Sequence, residues 1–403
     1  MGHAVVVGAG PAGAGLAHLL AHRGVDVTLV ERQSDFAREF RGEVLMPSGI
    51  AALEQIGVGG LLDRVPCHRP DTFALLINRA PLASGALDPD FFRGRPPLAV
   101  SQPGLLEAMV EDAETSGRLR FLRGVSVKDV HREGDRVVGV RARSAEGEID
   151  LRGDLVVGTD GRASVVRRRG QLDSLQTDLP MDIVWCKVPC PDGFTGALGA
   201  LGRGHLLVAY RTWDGNLQVG WVILKGTFGE LRQRGIENWV GQMADHVSPE
   251  LGDHLRACVS RISHPFLLDT VSDRVARWSS PGSLVLGDAA HTMSPVGGQG
   301  LNIALRDAVV AANHLVPVLA RNDVDPAHVD AAARAIELER TPEVRTIQRL
   351  QAFPPRVVLS RAWWGEPLRR LAAAAFRTGI GLGPARSIVD TFAFGVGDVR
   401  LHV

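Results

Sequence analysis

The sequence predicts an α/β protein in which a Rossmann-like dinucleotide-binding domain is interleaved with a β-sheet-rich substrate domain and followed by a helical C-terminal tail. Three observations carry this: an opening strand, glycine turn and helix; a strand-rich middle from about 180 to 280; and helical patterning from about Leu301 onward. With 403 residues, 45% of them hydrophobic and 22% charged, the chain matches folded globular proteins and excludes disordered, collagen-like and coiled-coil readings. At about 150 residues per domain, two or three domains are expected.

Residues 4–8 form the short apolar run of a buried parallel strand, Pro11 to about His22 a helix, and Asp26 to Val30 a second strand, which together make a βαβ unit. A helix fits 103–117. Strands fit Phe121 to Val130, Arg136 to Arg143, Glu148 to Leu151 and Leu155 to Gly158, separated by glycine-containing turns. Further on, Asp214-Gly215 suits a two-residue hairpin loop, and Leu284 to Gly287 reads as another apolar strand. The C-terminal helices are expected to break at Pro354-Pro355 and in the glycine-rich segment 379–383. A sheet completed by distant segments implies discontinuous domains: 1–70, 99–175 and 281–330 for the dinucleotide unit, 71–98 and 176–280 for the substrate sheet, and 331–403 for the tail.

Lys+Arg and Asp+Glu are both 45, so the positive field of a nucleic-acid binder is missing. The basic residues comprise three lysines and 42 arginines, a bias of the kind a GC-rich bacterial genome produces. Cys67, Cys186, Cys190 and Cys258 form no C-x-x-C pair, which leaves neither a zinc site nor a redox dithiol spelled out, and no metal is expected. No apolar run approaches the ~18 residues of a membrane span, and the N-terminus lacks a signal-peptide pattern, so the cytoplasm is the expected location.

Three motifs carry chemistry. In Gly8-Ala-Gly10-Pro11-Ala12-Gly13, the glycines serve a tight turn, close approach of a pyrophosphate and helix-to-strand packing, and the helix N-terminus faces the phosphates. Glu31 ends the second strand, placed to accept from a ribose. The second motif is Val157-Gly-Thr-Asp160-Gly161-Arg162-Ala-Ser164-Val-Val-Arg167. The third, Gly287-Asp288-Ala-Ala-His291, follows an apolar strand and leads through Ser294-Pro295-Val296-Gly297-Gly298-Gln299-Gly300-Leu301-Asn302 into a helix, whose free N–H groups stabilise negative charge.

In this order, the three motifs resemble the class A flavoprotein monooxygenases with the para-hydroxybenzoate hydroxylase fold. The resemblance implies FAD as resident cofactor, NADPH or NADH as transient reductant, and dioxygen adding to the flavin so that one oxygen reaches the substrate. It assigns Arg41 to the flavin pyrophosphate, Gln102 to the ribityl chain, a Val125 backbone contact to adenine, Asp160, Gly161, Gly287 and Asp288 to the cofactor, and Pro295 and Gly298 to the reacting face of the flavin. His291 fits a histidine satisfied by local backbone as well as it fits a catalytic role. Arg32, Gln33 and Arg38 follow the second strand, where either a 2′-phosphate or solvent would meet them. No second dinucleotide fingerprint is present, which fits this family and argues against the disulfide reductases.

If Asp214-Gly215 is a two-residue loop, Tyr210 pairs with Val219, and Val208, Tyr210, Leu217, Val219, Trp221 and Ile223 share one apolar face. That face is the expected pocket wall, with Tyr210, Val219 and Trp221 as substrate contacts, while His205, Arg211 and Gln218 take the wetter face. The partner is then an aromatic or polyketide-like hydrophobic small molecule, hydroxylated or epoxidised, rather than a small carboxylate. Ala362-Trp-Trp-Gly-Glu-Pro-Leu-Arg-Arg reads as a docked terminal helix rather than one lying on a membrane. Monomer and homodimer both fit.

Two further readings share the cofactor motifs: a reductase of the geranylgeranyl-reductase type, and a non-catalytic flavin-binding protein. Flavin halogenases need an early lysine and a Trp-x-Trp-x-Ile-Pro stretch; the first lysine here is Lys128, and Trp221-Val-Ile-Leu lacks the pattern.

Overall fold

The computed structural model describes residues 1–37, 43–202, 205–262, 265–358 and 382–403. The opening motif builds a six-stranded sheet whose strands run, edge to edge, Ser279–Ser280, Ser283–Val285, Leu155–Gly158, His3–Val7, Asp26–Glu31 and Leu119–Arg123. All neighbours are parallel except the short antiparallel edge pair. His3–Val7 is central, its residues 4–7 buried on both faces, which is why this run is apolar without alternation. Helices Pro11–His22 and Gln299–Leu319 pack on the sheet and on each other; a Cβ added at Gly15 would lie 3.2 Å from Ala308 Cβ, so the small residue sets their close approach.

The single strand expected over 121–130 is two. Gly124, at φ +68, turns the chain, so Leu119–Arg123 joins the parallel sheet and Ser126–Glu133 joins a separate antiparallel sheet with Arg136–Arg143 and Glu148–Arg152. Val44–Leu45, Leu98–Val100 and Cys67–His68 form a small three-stranded sheet.

The second large sheet has seven strands in the order Phe266–Val275, Ser174–Pro189, Asn216–Leu224, His205–Arg211, Ala197–Gly202, Thr72–Ile77 and Ala80–Ala86. Three helices that the strand-rich reading of 180–280 did not foresee, Phe228–Gln233, Ile236–Ala244 and Pro249–Ala257, follow it. Trp239, Val240 and Met243 from the middle helix pack with Val219, Trp221 and Ile223 in one core cluster.

The expected hairpin register is corrected by one residue. Thr212 N donates to Asn216 O at 2.8 Å, and Gly215 takes φ +77, making a three-residue loop of Trp213, Asp214 and Gly215. Tyr210 therefore faces Gln218, and Val219 faces Ala209. A one-residue slip reverses every side chain on the strand. Leu217, Val219, Trp221 and Ile223 belong to the helix-covered face, whereas Leu206, Val208, Tyr210, Gln218 and Val222 share the other face. Val219 and Trp221 are thus core residues rather than pocket residues.

The C-terminal half is helical, but the helix Pro326–Val358 runs through Pro354-Pro355 instead of stopping there. Near the end of a long helix, proline removes a hydrogen bond without ending it. The tryptophan pair at 363–364 and the segment around Arg41 lie outside the described residues. Among the described residues, no helix is long and apolar enough to cross a membrane.

Candidate active site

At the first motif, Gly8 has φ +102, and an added Cβ would sit 2.5 Å from Thr159 O; at Gly13 it would sit 1.9 Å from Gly8 O. Both must be glycine to close the turn. Gly10 differs, because nothing lies within 4 Å of an added Cβ. Its open side borders the N-terminus of Pro11–His22, which carries no side-chain cap, so amides at a positive helix end are left for an anion. Glu31 is buried beside them, with Oε2 accepting from Ala9 N and Oε1 from Gln33 N, both at 3.0 Å.

The other two motifs converge on this turn. Asp160 accepts from Ser164 Oγ at 2.5 Å, Val165 N at 2.6 Å and Val166 N at 3.3 Å, and thereby anchors the short helix Val165–Arg169. Burial pushes its carboxyl pKa up against these bonds. Arg167 donates to Ala289 O at 3.1 Å and Arg162 O at 2.5 Å, while Arg162 Nε lies 3.5 Å from Asp288 Oδ2. The second motif is thus tied to the third, and Gly287 lets the third meet the first: a Cβ there would be 3.2 Å from Ala12 Cβ.

The loop into Gln299–Leu319 holds Gly297 at φ +74 and Gly298 at φ +63, and the helix has no side-chain cap. Gln299 and Asn302 are buried and act as posts. Gln299 Nε2 donates to Gly297 O at 2.7 Å and Phe392 O at 2.8 Å; Asn302 donates to Gly298 O at 2.6 Å and Val44 O at 3.2 Å and accepts from Met46 N at 2.8 Å. Cofactor contact by these two falls to their backbone. Gly300 is open, with nothing within 4 Å of an added Cβ, and Leu301 is buried core.

Several residues that hold this site were missed in sequence. Gln351, fully buried, accepts from Ser294 N at 3.1 Å and donates to Ser294 O at 2.7 Å and Val296 O at 2.8 Å, clamping the loop that includes Pro295. Asp307 accepts from Gly287 N at 3.1 Å, His291 Nε2 at 2.7 Å and Arg340 Nε at 2.7 Å. Burial raises the Asp307 pKa, but His291 and Arg340 outweigh it and hold the group below the ordinary carboxylate value. His291 is therefore a partner of Asp307 packed on Trp278, with ring centroids 4.9 Å apart. These contacts link positions 16 to 57 residues apart, which no local motif spells.

Of the remaining expected residues, Gln102 is buried in the first turn of Gln102–Glu114, capped by Ser101. Val125 N donates to Glu31 O at 2.9 Å, which holds it beside the end of the second strand. Arg32 is exposed. Tyr210 packs against the cluster of Ile183, Trp185 and Val222, which Val296 of the glycine loop also flanks, and burial pushes its phenol well above the ordinary value, with Glu43 adding to the effect. Open space at Gly10 and Gly300, two uncapped helix ends and the buried Glu31 carboxylate fit an FAD molecule.

The comparisons with known proteins agree. A family profile described as FAD binding domain matches residues 2–337. The chain is 33% identical over 403 residues to 6-methylpretetramide 4-monooxygenase of Streptomyces rimosus, covering 98% of this chain and 93% of that protein. It is 29% identical to kynurenine 3-monooxygenase of Stenotrophomonas maltophilia over 374 residues, 86% of this chain and 77% of the relative. Among solved structures, PqsL of P. aeruginosa with 2-aminobenzoylacetate superposes with TM-score 0.75 at 21% identity, covering 89% of this chain and 97% of PqsL. HpxO of Klebsiella pneumoniae with FAD and uric acid gives 0.75 at 20% identity, covering 98% and 97%. At those identities the two structures speak for the fold. The chain belongs to the FAD-binding-domain family, as one of its flavin-dependent monooxygenases.

Proposed function

We propose that this enzyme hydroxylates an aromatic, polyketide-like small molecule, with NADPH or NADH as reductant. The observation that carries the reading is the sheet face opposite the helices: Leu206, Val208, Tyr210 and Val222 cluster with Trp185 and with Val296 of the glycine loop, an apolar wall with one phenol beside the flavin's place. Arg211 stands on the other face, and Lys187 on this one is engaged by Asp214 at 2.9 Å. The Streptomyces rimosus relative, named for oxygenating 6-methylpretetramide, supports the same class.

Bound FAD supplies the redox chemistry, taking reducing equivalents from the nicotinamide and activating dioxygen. The chain's own part is positional. Amides of the Gln299–Leu319 N-terminus, fixed by Gln299, Asn302 and Gln351, stabilise negative charge on the ring beside them. The apolar wall excludes water, and Tyr210 offers a hydroxyl to orient the substrate.

The test is turnover of the purified holoenzyme under 18O2 with NADPH or NADH and a panel of polycyclic phenols. Incorporation of one labelled oxygen per nicotinamide oxidised is expected. Anaerobic saturation of a substrate double bond would establish the reductase reading instead, and flavin that neither nicotinamide reduces would direct the work to a partner reductase.

A further inference from the structure

One corner of the sheet face is chemically unlike the rest of it. Lys187, Gln218 and Tyr210 stand in register on three adjacent strands. Glu43 reaches the corner from the cofactor side, where its Oε1 lies 3.6 Å from Lys187 Nζ. The next residue, Val44, flanks Gly298 and gives its carbonyl to Asn302, so Glu43 is built into the wall of the flavin loop.

Glu43 is 6% and Gln218 1% exposed. Gln218 Nε2 donates to Cys186 O at 3.1 Å, which fixes the orientation of the carboxamide. Its Oε1 and Glu43 Oε2 are both buried with no hydrogen-bond donor among the described residues. The Trp213 indole lies close enough to the carboxylate to lower its pKa as a donor, and a carboxylate oxygen has room for a second donor. Lys187 is engaged by Asp214 at 2.9 Å. Leaving a buried acceptor unmatched is unfavourable, and a ligand donor removes that cost on binding.

We infer that Glu43 and Gln218 are specificity-determining acceptors for ring hydroxyls, so that the pocket selects hydroxylated aromatics over the corresponding ethers. This rests on the proposed reading of the sheet face as the substrate wall. Tyr210, between them and the apolar wall, supplies the third polar contact.

The experiment measures binding of 1,3-dihydroxynaphthalene and 1,3-dimethoxynaphthalene to the FAD-loaded enzyme, read from the absorbance change of the bound flavin. The wild type is expected to hold the diol at least about tenfold tighter. Glu43→Gln and Gln218→Leu are each expected to cut that ratio to about threefold or less while the diether affinity stays within about twofold. A structural role would weaken both probes together, and that result, or an unchanged ratio in both variants, overturns the inference. Equal affinities in the wild type overturn it while leaving the oxygenase reading intact. No flavin response to either probe, in enzyme that retains FAD and consumes oxygen, overturns the wall itself.

Discussion

Behind the Gly287 turn, Asp307, Glu343, Arg306 and Arg340 bury two carboxylates and two guanidiniums, each charge facing an opposite one; at the sheet corner, Glu43 Oε2 and Gln218 Oε1 are buried acceptors beside a single cation, Lys187. The first cluster is balanced in charge, with Arg340 Nη2 buried and lacking a hydrogen-bond partner among the described residues. Arg306 Nη2 lies 2.8 Å from Glu343 Oε1, Arg340 Nε lies 2.7 Å from Asp307 Oδ1 and Arg340 Nη1 reaches Glu343 as well, while Glu343 also accepts from Val396 N at 3.0 Å. Burial opposes the Glu343 charge, yet the two arginines hold its pKa below the usual value. At the corner the balance goes the other way: burial lifts the Glu43 pKa, and Lys187 only partly counters it. A cluster whose buried charges all meet opposite ones fixes structure, whereas buried acceptor oxygens beside an apolar wall are suited to a ligand's donors.

The strongest way to break this contrast is to remove one member of the charge-balanced cluster. Asp307→Ala leaves Arg340 buried against Glu343 alone and frees Gly287 N, and is expected to destabilise by about 3–5 kcal/mol in urea unfolding, with loss of FAD. A cost under about 1 kcal/mol would erase the distinction. The same logic applies to the glycine turn. Gly13→Ala drives a Cβ into the Gly8 carbonyl and is expected to destabilise the apoprotein by about 1–3 kcal/mol, whereas Gly10→Ala leaves apoprotein stability unchanged and weakens FAD binding about tenfold or more, measured by flavin titration.

Smaller effects are expected at the corner. Glu43→Met removes a buried carboxylate of raised pKa and should keep unfolding stability within about 1 kcal/mol of wild type, far from the Asp307→Ala value. The pH dependence carries the sign. Since the folded pKa of Glu43 stands above its model-compound 4.5, the native state holds this proton more tightly, so the wild type loses stability as pH rises from about 4.5 through the raised value. Glu43→Gln lacks this loss. Its stability relative to wild type should climb across that window and level off above it; a flat difference would show Glu43 to be unperturbed.

The cofactor cradle was legible in sequence because its chemistry is local: Gly8, Gly13 and Glu31 act through backbone geometry within one βαβ unit. The substrate wall was not. Its assignment hung on the number of residues in one loop, and Gly215 in the left-handed region lengthens that loop from two residues to three, which exchanges Val219 and Trp221 for Gln218. Glu43 stood in view beside Arg41, but its burial comes from sheet packing across distant segments. Gln351 and Asp307 escaped for the same reason. Polar helix positions signal nothing until the fold shows what they touch.

The order of the strands also has a consequence during synthesis. His3–Val7 lies between Asp26–Glu31 and Leu155–Gly158, and the next strand outward, Ser283–Val285, precedes the Gly287 turn. At about 5–20 residues per second, a ribosome needs roughly 15 to 60 seconds to travel from the first strand to that one. Throughout that interval the nascent chain carries a half-built apolar sheet, and neither the Gly287 turn nor the Asp307 cluster exists to receive FAD. Chaperone engagement should therefore concentrate on chains arrested before Val285, and flavin capture should begin only with chains long enough to expose Glu343.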